Sequence, residues 1–154
     1  MKKTDYRLLA AQAKSLVADV PYLIANLANI AALIFASLDE INWAGFYLME
    51  EDKLVLGPFQ GKVACVEIPL GKGVCGTAAE TDSTQLVPDV HLFEGHIACD
   101  SASLSEIVVP VHFRGNVVGV LDIDSPVRER FTAEDREGLE KMIILLEEME
   151  VFNR

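Results

Sequence analysis

Basic residues are scarce in this chain of 154 residues, 13 Lys and Arg against 24 Asp and Glu, and nowhere do they cluster into a patch able to track a phosphate backbone. With a formal net charge of -11, nucleic acid is not an expected partner. Long apolar runs are missing as well. The longest stretch without a polar residue in the apolar second helix is Ile30 to Ala36, IAALIFA, against the roughly 20 residues needed to cross a bilayer. The opening MKKTDYRLLAAQAKSLVADV interrupts any export-type apolar core with Asp5, Arg7, Gln12 and Lys14. Neither membrane nor export is indicated, and a cytoplasmic location is the expectation. Cysteine is confined to Cys65, Cys75 and Cys99, an odd number that argues against a structural disulfide framework. Metal binding, catalysis and simple burial remain as their uses. Internal repeats and low-complexity linkers are absent.

The 51% hydrophobic content is enough for one core of ordinary size, with little room for a second, so residues 1–154 are read as one domain. Leu8, Leu9, Ala13, Leu16 and Val17 recur at helical spacing, and Asp19-Val20-Pro21 ends that pattern and can start a second helix with Pro21 in its first turn, running to about Leu38. Its stripe of Leu23, Leu27, Ile30, Leu33 and Ile34 is wide enough to cover a sheet. From Asn42 the texture becomes aromatic and β-branched: NWAGFYLME, KLVLGPF and ACVEI read as meandering antiparallel strands, with Glu51-Asp52 turning the first pair. GKGVCGTAAET reads as a glycine-rich turn entering a short helix, TQLV as a brief strand, and Pro88 to about Ser103 as a long loop. EIVVPVHF and VVGVLDID flank Arg114-Gly115-Asn116 as a hairpin, and Thr132-Ala133-Glu134-Asp135 opens a last helix to about Phe152 with Asp in the usual Glu or Gln place of a capping box. Helices at both ends of a central antiparallel sheet make the fold class α+β.

Strand alternation places Val118, Val120, Asp122 and Asp124 on one face, with Gly119, Leu121 and Ile123 on the other. In the antiparallel hairpin Glu106 then comes close to both aspartates, a three-carboxylate cluster suited to a ligand ammonium group or a general acid. The plainer reading makes Asp124 the start of a solvated Ser125-Pro126 turn and Glu106 an exposed strand start. The cysteines are also open to several readings. Zinc could take all three with His96 or His91, but no CxxC pair occurs and the spacing matches no finger or ribbon. Cys65, inside ACVEI, would ordinarily be a small buried side chain. Cys75, between Gly73 and Gly76 at a helix start, has the local field best suited to a thiolate, whereas Cys99 has the negative Asp100 beside it. Gly71-Lys72-Gly73 lacks the spacing of a phosphate loop. Trp43 and Tyr47 share a strand face as core or as pocket wall, and nothing around His91 or His112 suggests a role.

Taken together, INWAGFYL, LVLGPFQGKVACVEIPLGKGVCGTAAET, VPDVHLFEGHIACD, SEIVVP and VVGVLDIDSP resemble the free methionine-(R)-sulfoxide reductases, enzymes built on a GAF domain. The resemblance runs from roughly Asp19 to Leu139 with segment order and spacing intact. It implies a GAF fold of about six antiparallel strands with helices packed on them. It also implies roles for the thiols: Cys99 attacks the sulfoxide, Cys65 resolves, and Cys75 is a third thiol of secondary importance, which displaces the local preference for Cys75 as nucleophile. One departure is Glu94, where the family commonly has proline; without the ring the loop carrying Cys99 is freer in φ.

The implied reaction is reduction of free L-methionine (R)-sulfoxide, a repair of oxidised methionine. Glu106 or Asp122 protonates the departing oxygen, and the sulfenic acid on Cys99 condenses with Cys65 to a disulfide that thioredoxin, fed by NADPH, reduces. Asp124, assisted by Glu106 or Asp122, would hold the substrate ammonium, Trp43 and Tyr47 would wall the S-methyl end, and backbone N–H groups near Cys75 would hold the carboxylate. No bound metal or organic cofactor is expected. The apolar terminal helices would suit a homodimer, although no residue pattern specifies one. The competing classes are a non-catalytic GAF sensor of a small amino acid or nucleotide, and a zinc-stabilised interaction module.

Overall fold

The computed structural model describes residues 1–96 and 102–153. Its elements are α1 (Tyr6–Val17), α2 (Leu23–Ser37), β1 (Trp43–Glu50), β2 (Lys53–Gly61), β3 (Glu67–Pro69), α3 (Gly73–Thr81), β4 (Gln85–Val87), a 3-10 turn at Val90–Leu92, β5 (Ser105–Phe113), β6 (Asn116–Ser125) and α4 (Ala133–Glu148). The six strands form one antiparallel sheet in the order β3-β2-β1-β6-β5-β4. The α+β class and the six-stranded antiparallel sheet agree with expectation. Among the described residues no helix is long and apolar enough to cross a membrane.

Alternation along the central strands sorts side chains into two layers. Ala44, Phe46 and Leu48 of β1, Ile107, Val109 and Val111 of β5, and Leu121 and Ile123 of β6 pack under α1, α2 and α4 in the main core. On the other face, Trp43, Tyr47, Val108 and Val120 pack against Val74, Cys75 and Ala78 of α3. Because β1 and β5 are buried on both faces, they read as nearly continuous apolar runs. The sheet is thus clamped by a large apolar layer on one side and by a single short helix on the other, and the second side is where a cavity opens.

Several expectations need correction. Leu9, Ala13 and Val17 of α1 are buried in the core and Tyr6 and Ala10 pack against it, whereas Leu8 and Leu16 are exposed. The α2 helix begins at Leu23 behind an extended Tyr22, which leaves Pro21 outside the first turn. ACVEI is not a strand throughout: β3 covers Glu67–Pro69 only, and half-buried Cys65 precedes it. Val118 does not share the face of Val120. Pairing runs Val111↔Gly119 and then His112↔Val117, so Val118 is an extra residue, a bulge, and packs with the helix-side core while Val117 joins the opposite cluster.

The turn that closes this hairpin is Arg114-Gly115, both at positive φ (51° and 81°), the two-residue geometry that matches the right-handed twist of the strands. At the start of α4 the capping box forms as read: Thr132 Oγ1 accepts from the Asp135 N–H at 3.3 Å and Asp135 Oδ2 accepts from the Thr132 N–H at 2.8 Å. Asp rather than Glu serves here because the same carboxylate also accepts from Tyr6 Oη at 2.6 Å and pairs with buried Arg130 at 3.3 Å, which ties α1 to α4.

His112 acquires a role that its sequence context did not suggest. At the bulged end of β5 its ring lies between Glu147 of α4 (Nδ1 to Oε2, 2.6 Å) and Asp82 at the end of α3 (Nε2 to Oδ1, 2.7 Å). Burial alone would lower its pKa, but the hydrogen bonds and charges of the two carboxylates outweigh it and raise the pKa above the ordinary 6.5. A raised value means the folded state holds the proton more tightly, so this stabilisation is complete below pH 6.5 and is lost as pH rises through the folded value. Solvent screening limits it to on the order of 0.5 kcal/mol. Thermal unfolding of wild type and His112→Asn across this range should show the wild-type advantage shrinking towards alkaline pH; a constant difference would contradict the assignment.

Candidate active site

The cavity lies between α3 and the sheet, and its floor is built by strand register. Trp43 of β1 pairs with Asp124 of β6, which pairs with Glu106 of β5, and two residues along β6, Asp122 pairs with Gly45 and Val108. Directly paired residues point to the same face, so three carboxylates from two strands meet beneath the helix. The Val118 bulge is what makes this possible. Had the register of Phe113↔Asn116 continued, Glu106 would face Ile123, which belongs to the helix-side core; the extra residue moves it opposite Asp124.

Glu106 and Asp122 are only 7% and 5% exposed, and no Lys or Arg lines the cavity among the described residues. Burial, then the charges of Asp122 and Asp124 and hydrogen bonds to both, push the Glu106 carboxyl well above its ordinary range. Burial raises Asp122 too, but hydrogen bonds with Glu106, Asp124 and Cys75 oppose that, so Glu106 is the acid raised further. Asp122 Oδ1 is buried without a hydrogen-bond partner. The arrangement stores negative charge that a ligand cation would neutralise, and it favours the protonated form of Glu106.

The thiols separate by environment. Cys75 sits in the first turn of α3 with its Sγ 4.0 Å from Glu106 Oε2, 4% exposed. Burial and then the charges of Asp122, Glu106 and Asp124 raise its pKa well above the ordinary value, so the expectation that the helix start would favour a thiolate here is overturned: desolvation and three acids exceed half a unit of dipole charge. Cys75 is a free thiol, whereas Cys65 is held in a disulfide. Cys99 and its neighbour Asp100 lie outside the described residues.

Trp43 and Tyr47 prove to be pocket wall and core together, and they also carry a structural duty that the sequence did not suggest. Their rings stack at 5.9 Å, and Phe59 stacks on Trp43 at 5.1 Å across Gly45, where a Cβ would lie 2.3 Å from that of Phe59. Trp43 Nε1 donates to the Lys62 carbonyl at 3.1 Å and Tyr47 Oη to the Cys65 carbonyl at 2.9 Å, so the aromatic pair holds the segment bearing Cys65 over the cavity. Sequence reasoning missed Val63, Ala64, His96 and Ser103 as lining residues. They sit on irregular backbone, where no periodicity marks a face. Near the Glu94 departure, the Gly95 carbonyl accepts from the Gly73 N–H at 3.1 Å and the His96 N–H donates to the Phe93 carbonyl at 3.2 Å, so this end of the loop is tied to α3 without proline. Burial first, then His91, lowers the His96 pKa against the pull of Asp122.

Raising an acid's pKa on folding means stability falls as pH rises above the ordinary 4.5 of Glu106. Glu106→Gln should therefore raise stability at neutral pH by on the order of 1 to 3 kcal/mol, with the gain vanishing in acid. Denaturant unfolding at several pH values checks this; a destabilised variant at neutral pH would contradict the picture of a stored, uncompensated acid.

A family model described as "GAF domain" matches residues 25–143. The chain is 53% identical over 150 residues to the free methionine-R-sulfoxide reductase of Escherichia coli, covering 97% of this chain and 91% of that one. Among solved structures, fRMsr of Staphylococcus aureus in its reduced form superposes with a TM-score of 0.93 at 54% identity, covering 96% of each chain. Free methionine-R-sulfoxide reductase from Neisseria meningitidis, in complex with its substrate, gives 0.91 at 42% identity and covers 98% of this chain and 94% of that one. On these likenesses the chain belongs to the free methionine-R-sulfoxide reductases, an oxidoreductase family of GAF-domain proteins.

Proposed function

We propose that this protein reduces free L-methionine (R)-sulfoxide to methionine, and the observation that carries the reading is the buried acid cluster with no Lys or Arg lining it among the described residues. A free amino acid brings an ammonium group to such a floor, whereas inside a peptide that nitrogen is an uncharged amide. Asp124 and Asp122 receive the ammonium, N–H groups of the first turn of α3 receive the carboxylate, and the stacked Trp43 and Tyr47 wall the S-methyl end.

Cys99 is the nucleophile. Its near neighbours in sequence His96 and Ser103 line the cavity, which supports this role. The Cys99 sulfur attacks the sulfoxide sulfur while Glu106, the protonated member of the cluster, gives its proton to the sulfoxide oxygen. The oxygen passes to Cys99 as sulfenic acid, the substrate leaves as methionine, and Cys65 then displaces water to form a disulfide. That Cys65 already stands in a disulfide while Cys75 keeps its thiol supports giving Cys65 the resolving role. Thioredoxin, reduced by NADPH, restores both thiols by exchange. No bound metal or organic cofactor takes part.

Thioredoxin-coupled NADPH oxidation with resolved sulfoxides tests the whole reading. Free methionine (R)-sulfoxide should turn over, and the (S) form and N-acetylmethionine sulfoxide should not; if none is consumed, the enzyme reading is lost. In single turnover Cys99→Ser should form no methionine and Cys65→Ser should form one equivalent and stop, so equal loss in both would mean the roles are misassigned. Asp124→Asn should raise KM by about 10- to 100-fold, the worth of one buried charged hydrogen bond, with a smaller effect on kcat.

A further inference from the structure

We propose that the cavity floor is also a binding site for one soft divalent cation of the zinc class, ligated by Cys75 Sγ, a Glu106 oxygen and an Asp122 oxygen. Ligand atoms from these side chains lie within 4.8 Å of one another, and all three residues are buried. Each comes from a separate rigid element: Cys75 from α3, Glu106 from β5 and Asp122 from β6. Tetrahedral coordination at about 2.0 to 2.3 Å would draw the three atoms to roughly 3.5 Å apart, a contraction that small side-chain rotations supply.

The pointer to a ligand is Asp122. Its side chain is 5% exposed, faces the cavity, and leaves Oδ1 buried with no hydrogen-bond partner. A buried lone pair of this kind is costly unless a cation or donor meets it. The donor set selects the metal class. One sulfur and two carboxylate oxygens favour zinc, cobalt or cadmium over magnesium or calcium, which take oxygen ligands alone. Three protein ligands leave a fourth position for water or for the ring of His96, which also lines the cavity. On coordination the Cys75 thiol and the Glu106 carboxyl release their protons to solvent and nothing is oxidised or reduced. This donor set differs from the three cysteines with histidine that the sequence raised as a zinc possibility, and the ion would block rather than assist the reaction. Bound there, it occupies the place proposed for the substrate ammonium, so zinc should inhibit turnover competitively with sulfoxide; that consequence, unlike the site itself, rests on the reductase reading.

Cobalt(II) is the probe, because its spectrum reports sulfur ligation without reference to activity. The full chain carrying Cys65→Ser and Cys99→Ser, in which Cys75 is the one thiol, is titrated anaerobically. One equivalent should bind with a thiolate-to-cobalt charge-transfer band and intense tetrahedral d–d bands, and zinc should displace it. Adding Cys75→Ser to that background should abolish the charge-transfer band, and adding Asp122→Asn should weaken binding at least tenfold while unfolding midpoints report that both variants fold. If Cys75→Ser does not fold, alkylation of Cys75 in the folded protein replaces it. A titration without the thiolate band, or a band that survives loss of the Cys75 thiol, overturns the proposal. If the double variant binds cobalt through Cys75 while the wild-type chain reduces no sulfoxide, the metal site stands and the reductase reading falls; an active wild-type chain whose double variant shows no band does the reverse.

Discussion

The mutual repulsion of Glu106, Asp122 and Asp124 on a buried cavity floor is the constraint around which the rest of this molecule is arranged. Three acids on adjacent strands with no Lys or Arg lining their cavity among the described residues cost folding free energy, and the sheet tolerates that cost because its opposite face carries the main apolar core under α1, α2 and α4. The cluster moderates its own charge by favouring the protonated form of Glu106. In the proposed reaction that proton goes to the sulfoxide oxygen, and a ligand that brings a positive charge offsets the repulsion on the floor.

Register precision is what converts three scattered acids into a cluster. The hairpin is legible in the sequence and brings Glu106 to the strand end that carries Asp122 and Asp124, but the Arg114-Gly115 turn alone does not set the face they share. The bulge at Val118 is not legible: VVG offers no turn residue out of place, and the extra residue shows only when paired strands are followed past Val111. An unbulged ladder would have put Glu106 opposite Ile123, so the expected proximity was right while the assignment of Val118 to its face was not. Short edge elements were the other source of error. Cys65 lies in a segment whose β-branched texture suggests a strand, yet the ladder with β2 takes in only Glu67–Pro69.

The thiols show how tertiary context overrides local chemistry. A cysteine in the first turn of a helix between glycines is, on local grounds, the one to ionise, and three residues of sequence around Cys75 say nothing of the acids that α3 is laid upon. Burial and those acids push its pKa well above the ordinary value and so disfavour the thiolate. Trp43 and Tyr47 show the converse. Their spacing marks a shared face, but only the fold reveals that their polar tips donate to the carbonyls of Lys62 and Cys65, which ties the wall of the cavity to the segment carrying Cys65.

The most direct test of this account is a carbon-13 carboxyl NMR titration of Glu106, with and without saturating free L-methionine. In the unliganded protein Glu106 should lose its proton well above the ordinary 4.5, and bound free methionine should shift that titration downward as its ammonium stabilises the ionised cluster, whereas N-acetylmethionine should leave it unmoved. A Glu106 that titrates in the ordinary carboxylate range, or one that is indifferent to free methionine, would contradict the claim that the buried acids are the amino-acid receptor.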